Sequence, residues 1–222
     1  MKKGIIGIVV ALEKEAMPFL SQINAVKTDD IASKKVYKGQ VSDKTVYLII
    51  SGIGKVSSAL STQALIDKFF PDAVINFGTV CGIGNNVAAK KYYAIDKCCQ
   101  YDFDLSDLDN VPVGYIQDYD TVFFPAKTDK LEYLDKASLA TSDKFTCKDI
   151  DVKTVKELRC SLCDMEGASV AQVCLSNKTP LYIIKGVTDV FGSGSNSEQF
   201  TENLKAVSDG FPQEIIRLLN AL

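Results

Sequence analysis

Short apolar runs rich in β-branched residues recur along the chain, and amphipathic helical patterns lie between several of them. The runs occupy residues 5–10, 46–50, 73–77, 92–95, 121–124, 137–140 and 181–184. The helical patterns cover residues 13–22, 54–70, 164–176 and 197–219. Apolar strands that alternate with helices predict an α/β fold whose sheet is covered on both faces. Segment 97–117 is polar and irregular, so we expect it on the surface of one domain that spans residues 1–222.

Charge and hydropathy exclude several broad classes of protein. The 222 residues carry a net charge of −3, with a pI near 5.1, which argues against nucleic acid as a partner. The start of the chain resembles a short signal peptide, but its nine-residue apolar run is followed by Glu13 with no small-residue cleavage site, so a buried strand is favoured. No run approaches the ~18 apolar residues of a membrane span. We therefore expect a soluble, cytoplasmic protein with no membrane partner.

The chain has seven cysteines and no histidine. Cys160 and Cys163 form a single C-x-x-C pair, and a zinc site without histidine needs four thiolates or added carboxylates. Cys98 and Cys99 could complete such a site only if the fold brings them close. We expect instead reduced thiols that pack as small apolar side chains, and no metal.

Two glycine turns follow predicted strands. The turn at residues 51–55 suggests a phosphate-binding loop, but that motif needs glycine in place of Ile49 and Ser or Thr in place of Val56. What remains is a tight turn that puts Ile53 and backbone N–H groups at a strand end, where α/β proteins bind ligands, or a purely structural turn. In the turn at residues 77–82, Thr79 could offer a hydroxyl to a ligand, or the glycines could serve backbone geometry alone.

Without histidine, chemistry near neutral pH must depend mainly on carboxylates, cysteines or lysines. Glu166 precedes a helix of small residues, where a buried carboxylate could accept two hydroxyls of a ribose. Asp189 follows a buried strand, where partial desolvation would help it to hold a proton. Asp164 and Asp189 could equally be helix N-caps. Acids in the first turn of a helix favour its dipole, which explains one of Glu13 and Glu15 without a functional role.

Five segments together resemble the nucleoside phosphorylase/hydrolase superfamily, most closely its bacterial 5′-methylthioadenosine/S-adenosylhomocysteine nucleosidases. They are GIIGIVVALEKEA, SGIGKVSSAL, PDAVINFGTVCGIG, CDMEGASVAQVC and IIKGVTDV, in the order and near the spacing of that family. The resemblance implies a three-layer αβα fold with a central mixed, twisted sheet. It also implies a homodimer that hydrolyses the N-glycosidic bond of a small-molecule nucleoside, with no cofactor and no metal.

The resemblance implies catalytic roles for several side chains. Asp189 would be the general acid that protonates the purine, and Thr188 would help to position it. Glu15 would orient the attacking water, with Thr79 nearby. Lys185 stands where these nucleosidases usually carry an arginine near that water.

The resemblance also implies a set of substrate contacts. Glu166 would hold the ribose hydroxyls, and Met165 would pack beneath the sugar. Phe145 would stack on the base, and the backbone of Thr146 would read its edge. Ile53 would line the pocket for the 5′ substituent.

Missing arginines favour water over phosphate as the nucleophile. Phosphorylases of this superfamily typically hold phosphate with arginines, and Asn76 stands at one of those positions. Arg159 and Arg217 lie in none of the candidate loops. Without histidine for a 5′ hydroxyl, an apolar 5′ group fits better. The loop at residues 191–197 is shorter than the lid of the family and has Ser197 near the place of its aromatic residue.

The sequence leaves alternatives open. They are a purine nucleoside phosphorylase, a nucleosidase for another adenosine derivative such as futalosine hydrolase, and a nucleoside-binding sensor that has lost turnover.

Overall fold

A computed structural model describes residues 4–84, 86–145 and 148–222. Its strands are β1 Ile5–Val10, β2 Val26–Ile31, β3 Lys34–Val41, β4 Lys44–Ile50, β5 Ala73–Gly82, β6 Tyr92–Gln100, β7 Phe124–Pro125, β8 Asp135–Thr141, β9 Leu162–Asp164 and β10 Leu181–Val190. Its helices are α1 Glu13–Gln22, α2 Lys55–Phe69, α3 Ser106–Asp109, α4 Asp149–Glu157, α5 Gly167–Ser176 and α6 Asn196–Ala221, with a 3₁₀ turn at Gln117–Tyr119.

The described strands form one mixed sheet in the order β10-β6-β8-β9-β5-β1-β4-β3-β2, with β7 beside β6. Strand β1 runs parallel to β4 and β5, and β5 runs parallel to β10. Strand β10 also pairs antiparallel with β6, and β9 with β5. Strands β5, β10, β6, β8 and β9 therefore pair in a closed circuit, while β1, β4, β3 and β2 extend the sheet to one side.

Helices cover both faces of this sheet. On one face α1 and α6 pack through Phe19 and Phe211 against Phe77 of β5, with 5.0 Å between the ring centroids of Phe77 and Phe211. On the other face α2 and α5 contribute Leu65 and Val170 to a second buried cluster. The three-layer α/β fold expected from the sequence is confirmed.

Several elements differ from the sequence predictions. The sequence did not predict strands β2, β3 and β9 or helix α4. The prediction of a surface excursion at residues 97–117 is wrong for its first four residues, which continue β6. Predicted strand 121–124 contributes only Phe124 to β7. Strand β2 pairs only with β3 at the edge of the sheet and is largely exposed. Its charged sequence therefore lacks the apolar run by which buried strands are recognised.

The longest helix, α6, has 26 residues. Neither it nor any other helix in the described part of the chain combines the length and the hydropathy needed to cross a bilayer.

Candidate active site

A cavity with about 600 Å³ of empty space opens where β1, β4, β5, β9 and β10 end or bend. It brings together most of the site residues predicted from the sequence. They are Glu15, Ile53, Thr79, Phe145, Met165, Glu166, Thr188 and Asp189. Lys185 lies beneath the cavity and does not line it. Thr146 lies outside the described residues.

Glu15 and Glu13 behave differently although they share the first turn of α1. Glu13 is exposed and pairs with Lys35, at 3.0 Å between Oε2 and Nζ. Glu15 is 2% exposed, and its Oε1 accepts hydrogen bonds of 2.7 Å from both the backbone N–H and the hydroxyl of Thr79. Burial raises the pKa of Glu15, and the donors of Thr79 offset this only in part. The helix dipole thus accounts for Glu13, while Glu15 faces the cavity.

Glu166 is held by the glycine turn that follows β4. The N–H of Gly54 donates to Glu166 Oε1 at 2.9 Å. Gly54 has φ +98, a conformation that favours glycine, so the turn can direct its N–H at the carboxylate. Burial and the nearby Asp164 raise the pKa of Glu166 to about 7, against the opposing effects of Lys185 and the Gly54 N–H. This turn therefore supports a carboxylate, not a phosphate.

Asp164, which lines the cavity, forms a buried ion pair with Lys185, which does not. The distance from Lys185 Nζ to Asp164 Oδ2 is 2.8 Å, and both side chains are 1% exposed. Asp164 also accepts from Thr141 Oγ1 at 2.6 Å and from the N–H of Gly167 at 2.8 Å. Burial lowers the pKa of Lys185, but Asp164, Glu166 and Glu15 together raise it above its ordinary value. Asp164, at the end of β9, therefore accepts from the first N–H of α5 and is the partner of a buried cation, while the N-cap position itself belongs to Glu166.

Asp189 has one hydrogen-bond donor on each carboxylate oxygen. Thr188 Oγ1 lies 2.7 Å from Asp189 Oδ1, and Asn196 Nδ2 donates to Asp189 Oδ2 at 2.6 Å. The carboxyl group lines the cavity although Asp189 is only 3% exposed. Sequence reasoning missed Asn196, whose only signal was its place after the short loop that follows β10.

Two aromatic rings stand at one side of the cavity. Phe145 and Phe200 meet edge to face, with 5.3 Å between their centroids. Phe145 is 46% exposed, which leaves ring surface available to a ligand. Sequence reasoning missed Phe200, because the aromatic position was sought near Ser197, whereas α6 begins at Asn196 and its first turns bring Phe200 to the cavity.

No arginine lines the cavity in the part of the chain that the structure describes. Lys144 lines it and pairs with Asp151, at 2.8 Å between Nζ and Oδ1. Arg217 stacks on the ring of Tyr133, 3.7 Å from the centroid. Asn76 is 1% exposed and donates to the carbonyl of Val9. An anion in the cavity would therefore meet no arginine among these residues.

The cysteines in the described residues are all buried, and none of them forms a disulfide. Cys99 and Cys160 approach to 3.7 Å between their sulfurs within a small apolar cluster. Among the described residues, no group of three or more Cys, Asp and Glu side chains is arranged to hold a metal ion. The thiols therefore pack as small apolar side chains.

Comparison with known proteins agrees with this arrangement. A family model described as the phosphorylase superfamily matches residues 5–221. The 5′-methylthioadenosine/S-adenosylhomocysteine nucleosidase of Buchnera aphidicola subsp. Schizaphis graminum is 33% identical, over 94% of this chain and 92% of its own. The chain belongs to this nucleosidase family of the phosphorylase superfamily. The resemblance read from the five sequence segments is confirmed.

Solved structures have the same fold. The family member from Colwellia psychrerythraea, solved in complex with adenine, superposes with a TM-score of 0.89 at 27% identity, covering 100% of this chain and 96% of the other. The futalosine hydrolase of Helicobacter pylori gives 0.91 at 22% identity, covering 99% of both chains. At that identity the second likeness shows the fold alone.

Proposed function

We propose that the protein hydrolyses the N-glycosidic bond of 5′-methylthioadenosine or S-adenosylhomocysteine, releasing adenine and a 5-thioribose derivative. The observation that carries this proposal is that Glu15, Glu166 and Asp189, three buried carboxylates, line one cavity, next to a fourth that is paired with Lys185. Cleavage of this bond leaves an oxocarbenium-like sugar and a base that gains negative charge. Carboxylates stabilise the sugar, and a protonated carboxyl group neutralises the base.

Asp189 is the general acid for the base in this proposal. Its carboxyl group faces the cavity between two donors, and Thr188 fixes one of its oxygens. Phe145 is exposed enough to stack on a purine, and the backbone of Thr146 is proposed to read the edge of the base. Protonation of the imidazole ring turns adenine into a neutral leaving group, a step worth ~10²–10⁴-fold in rate.

Glu166 and Met165 bind the sugar in this proposal. Glu166 Oε1 is anchored by Gly54, which orients the carboxylate toward the cavity. An ionised carboxylate accepts two hydrogen bonds, which matches a ribose diol. Met165 lies on the cavity wall beside it and offers an apolar surface to the sugar.

Glu15 orients the attacking water, and Thr79 holds Glu15 in place. Both donors of Thr79 bind Oε1, whereas Oε2 has only a 3.1 Å contact with the N–H of Leu12. Glu15 can therefore accept a proton from water on the side of the cavity. Lys185, beneath the cavity, offsets the charge of the carboxylates around it.

Water is the proposed nucleophile because the described lining offers no arginine for phosphate. Ile53 and Phe200 give the cavity apolar walls, and an apolar 5′ group such as methylthio suits these walls. We propose no cofactor and no metal for this reaction.

Release of free base from four nucleosides tests the function. The protein is incubated with 5′-methylthioadenosine, S-adenosylhomocysteine, adenosine and inosine, each with and without phosphate. We expect adenine from the two thioether nucleosides at the same rate in both conditions. Base release that depends on phosphate would indicate a phosphorylase, and binding without release would indicate a sensor. Futalosine as a fifth substrate tests the remaining alternative.

Replacing Glu15 with glutamine should lower kcat by about 10²-fold and change the affinity for substrate much less, because the variant cannot accept the proton of water. Turnover gives kcat, and the inhibition constant of an uncleaved thioether analogue gives affinity. Glu13→Gln is the matched control, since it removes an exposed acid from the same helical turn. Equal losses of affinity and turnover in Glu15→Gln would place Glu15 in binding or folding instead.

The pKa of Glu166 near 7 makes a prediction about pH. Only the ionised carboxylate accepts both ribose hydroxyls, so kcat/KM should rise as pH increases through about 7. The contribution of Glu166 to folding stability changes in the opposite direction with pH. The folded state holds this proton more tightly than the unfolded state, in which glutamate keeps its ordinary pKa of 4.5, so the contribution of Glu166 to stability falls between about pH 4.5 and 7. Glu166→Gln should lose both dependences, and an unchanged profile in that variant would contradict the assignment.

We propose that the protein is a homodimer in the cytoplasm and acts in methionine salvage. Ile53, in the turn before α2, and Val56 and Leu60, in the first two turns of α2, are 55%, 80% and 48% exposed. An apolar stripe of this kind is typical of a surface that a second copy covers. Sedimentation equilibrium measures the mass directly, and a mass near the 24.2 kDa of one chain would contradict the dimer.

A further inference from the structure

Three amide side chains join the start of α6 to the end of β10. Asn196, Gln199 and Asn203 are spaced by three and four residues, so they share one face of the helix. Gln199 exchanges hydrogen bonds with the backbone N–H and carbonyl of Val190, at 3.2 and 3.4 Å. Asn203 Nδ2 donates to the carbonyl of Thr188 at 2.8 Å. This face of α6 is therefore fixed against the strand that carries Asp189.

Asn196 differs from the other two amides because its partner is a side chain. Its Nδ2 lies 2.6 Å from Asp189 Oδ2 and 3.1 Å from Cys81 Sγ. With Thr188 on Oδ1, the carboxyl group has a donor on each oxygen, which fixes the rotation of its plane. The fold thus places a neutral amide donor on the group that the proposed function makes the general acid.

We propose that Asn196 is a positioning residue for proton donation by Asp189, an inference that rests on the proposed function. In that step the O–H bond of Asp189 breaks as an N–H bond forms on the imidazole ring of adenine. The electron pair of the glycosidic bond leaves with the base, while water forms the new bond to the sugar and passes its proton to Glu15. Asp189 ends the step as a carboxylate.

The contribution of Asn196 grows during this step. Its hydrogen bond begins on a neutral carboxyl group and ends on an anion, and charge-assisted hydrogen bonds are roughly twice as strong as neutral ones. An interaction that strengthens toward the transition state raises kcat and leaves substrate binding nearly unchanged. Because Asn196 lies in the first turn of a long helix that the other two amides hold, the donor is in place before the substrate arrives.

Asn196→Ala should lower kcat for 5′-methylthioadenosine by ~10–100-fold, the range for a hydrogen bond to a charged group. KM should stay within ~3-fold of its original value, since slow chemistry makes KM approach the dissociation constant. Asn196→Asp keeps the shape but replaces the donor with a second carboxyl group, and kcat should fall at least as far. Ser195, the cap of α6, is unchanged in both variants.

Gln199→Ala is the matched control, because it removes an amide from the same helix face that contacts only backbone. Its kcat should fall much less than that of Asn196→Ala. In an Asp189→Asn background, Asn196→Ala should lower kcat by less than a further ~2-fold, because the effects of two residues that act through one step are not additive. The role of Asn196 would be overturned if kcat of Asn196→Ala stayed within ~2-fold of that of the unaltered protein, or if the substitution raised KM instead of lowering kcat. Failure of the unaltered protein to release adenine would instead overturn the proposed function.

Discussion

Replacing Asp189 with asparagine is expected to lower kcat for 5′-methylthioadenosine by ~10²–10⁴-fold, the range for general acid catalysis. Asparagine has nearly the same shape as aspartate, so the contacts with Thr188 and Asn196 can persist in part. What it lacks is a proton that it can give to the base. Adenine must then leave as an anion or take a proton from water, and both routes have a higher barrier. Free adenine, measured with time at saturating substrate, gives kcat.

Two observations keep this experiment interpretable. A thermal midpoint close to that of the unaltered protein would show that the variant is folded. We expect such a midpoint, because the oxygens of Asp189 contact only two side chains in the described structure. Glu13→Gln serves as a control for loss of one acidic charge, since Glu13 is exposed and lies outside the cavity lining. Near-normal turnover by Asp189→Asn would refute its role as general acid.

Local sequence was enough to single out two of the three acids to which the proposed function gives a role. Asp189 follows a buried strand, and Glu166 precedes a helix of small residues, so each was visible from its immediate neighbours. Glu15 was not visible in this way, because a helix dipole explains an acid in a first turn equally well. Only the resemblance to the nucleosidases separated Glu15 from Glu13, and the structure places them in different surroundings.

Contacts between distant segments could not be read from the sequence. Phe200 was missed although the start of its helix was predicted to within one residue, because no local pattern shows which side chain of α6 reaches a cavity formed by distant segments. The hairpin of β2 and β3 was missed because edge strands need no apolar run. The fold class could be predicted although these details were missed, because it depends on the apolar strands buried at the centre of the sheet.

The buried ion pair was the largest omission. Lysine is rarely buried, and nothing in the sequence around Lys185 marks Asp164, twenty-one positions earlier, as its partner. Their proximity arises because β9 and β10 both pair with β5, so the strands deliver the two charges to one place. Pairing of this kind depends on topology, which a linear pattern does not encode.

Lys185→Met should lower the free energy of unfolding by about 3–5 kcal/mol, the usual cost of removing one partner of a buried ion pair. Methionine fills a similar volume, so the loss comes mainly from the unpaired charge of Asp164, which stays buried. Urea denaturation at pH 7 measures the change. Lys185→Arg keeps the charge and is the control. A second substitution, Asp164→Asn, in the Lys185→Met background should recover part of the loss, since it removes the unpaired charge.

The same substitution should alter the pH dependence of catalysis in a defined direction. Lys185 lowers the pKa of Glu166, which burial and Asp164 raise to about 7. Without the lysine that pKa rises further, so the increase of kcat/KM with pH should move to higher pH, while Lys185→Arg should leave it in place. A stability loss below ~1 kcal/mol, the scale of an exposed ion pair, would contradict the role of Lys185. Equal losses of stability in Lys185→Met and Lys185→Arg would also contradict that role. The pH shift matters most for function, because it links a cation that does not line the cavity to the charge of the carboxylate that is proposed to hold the sugar.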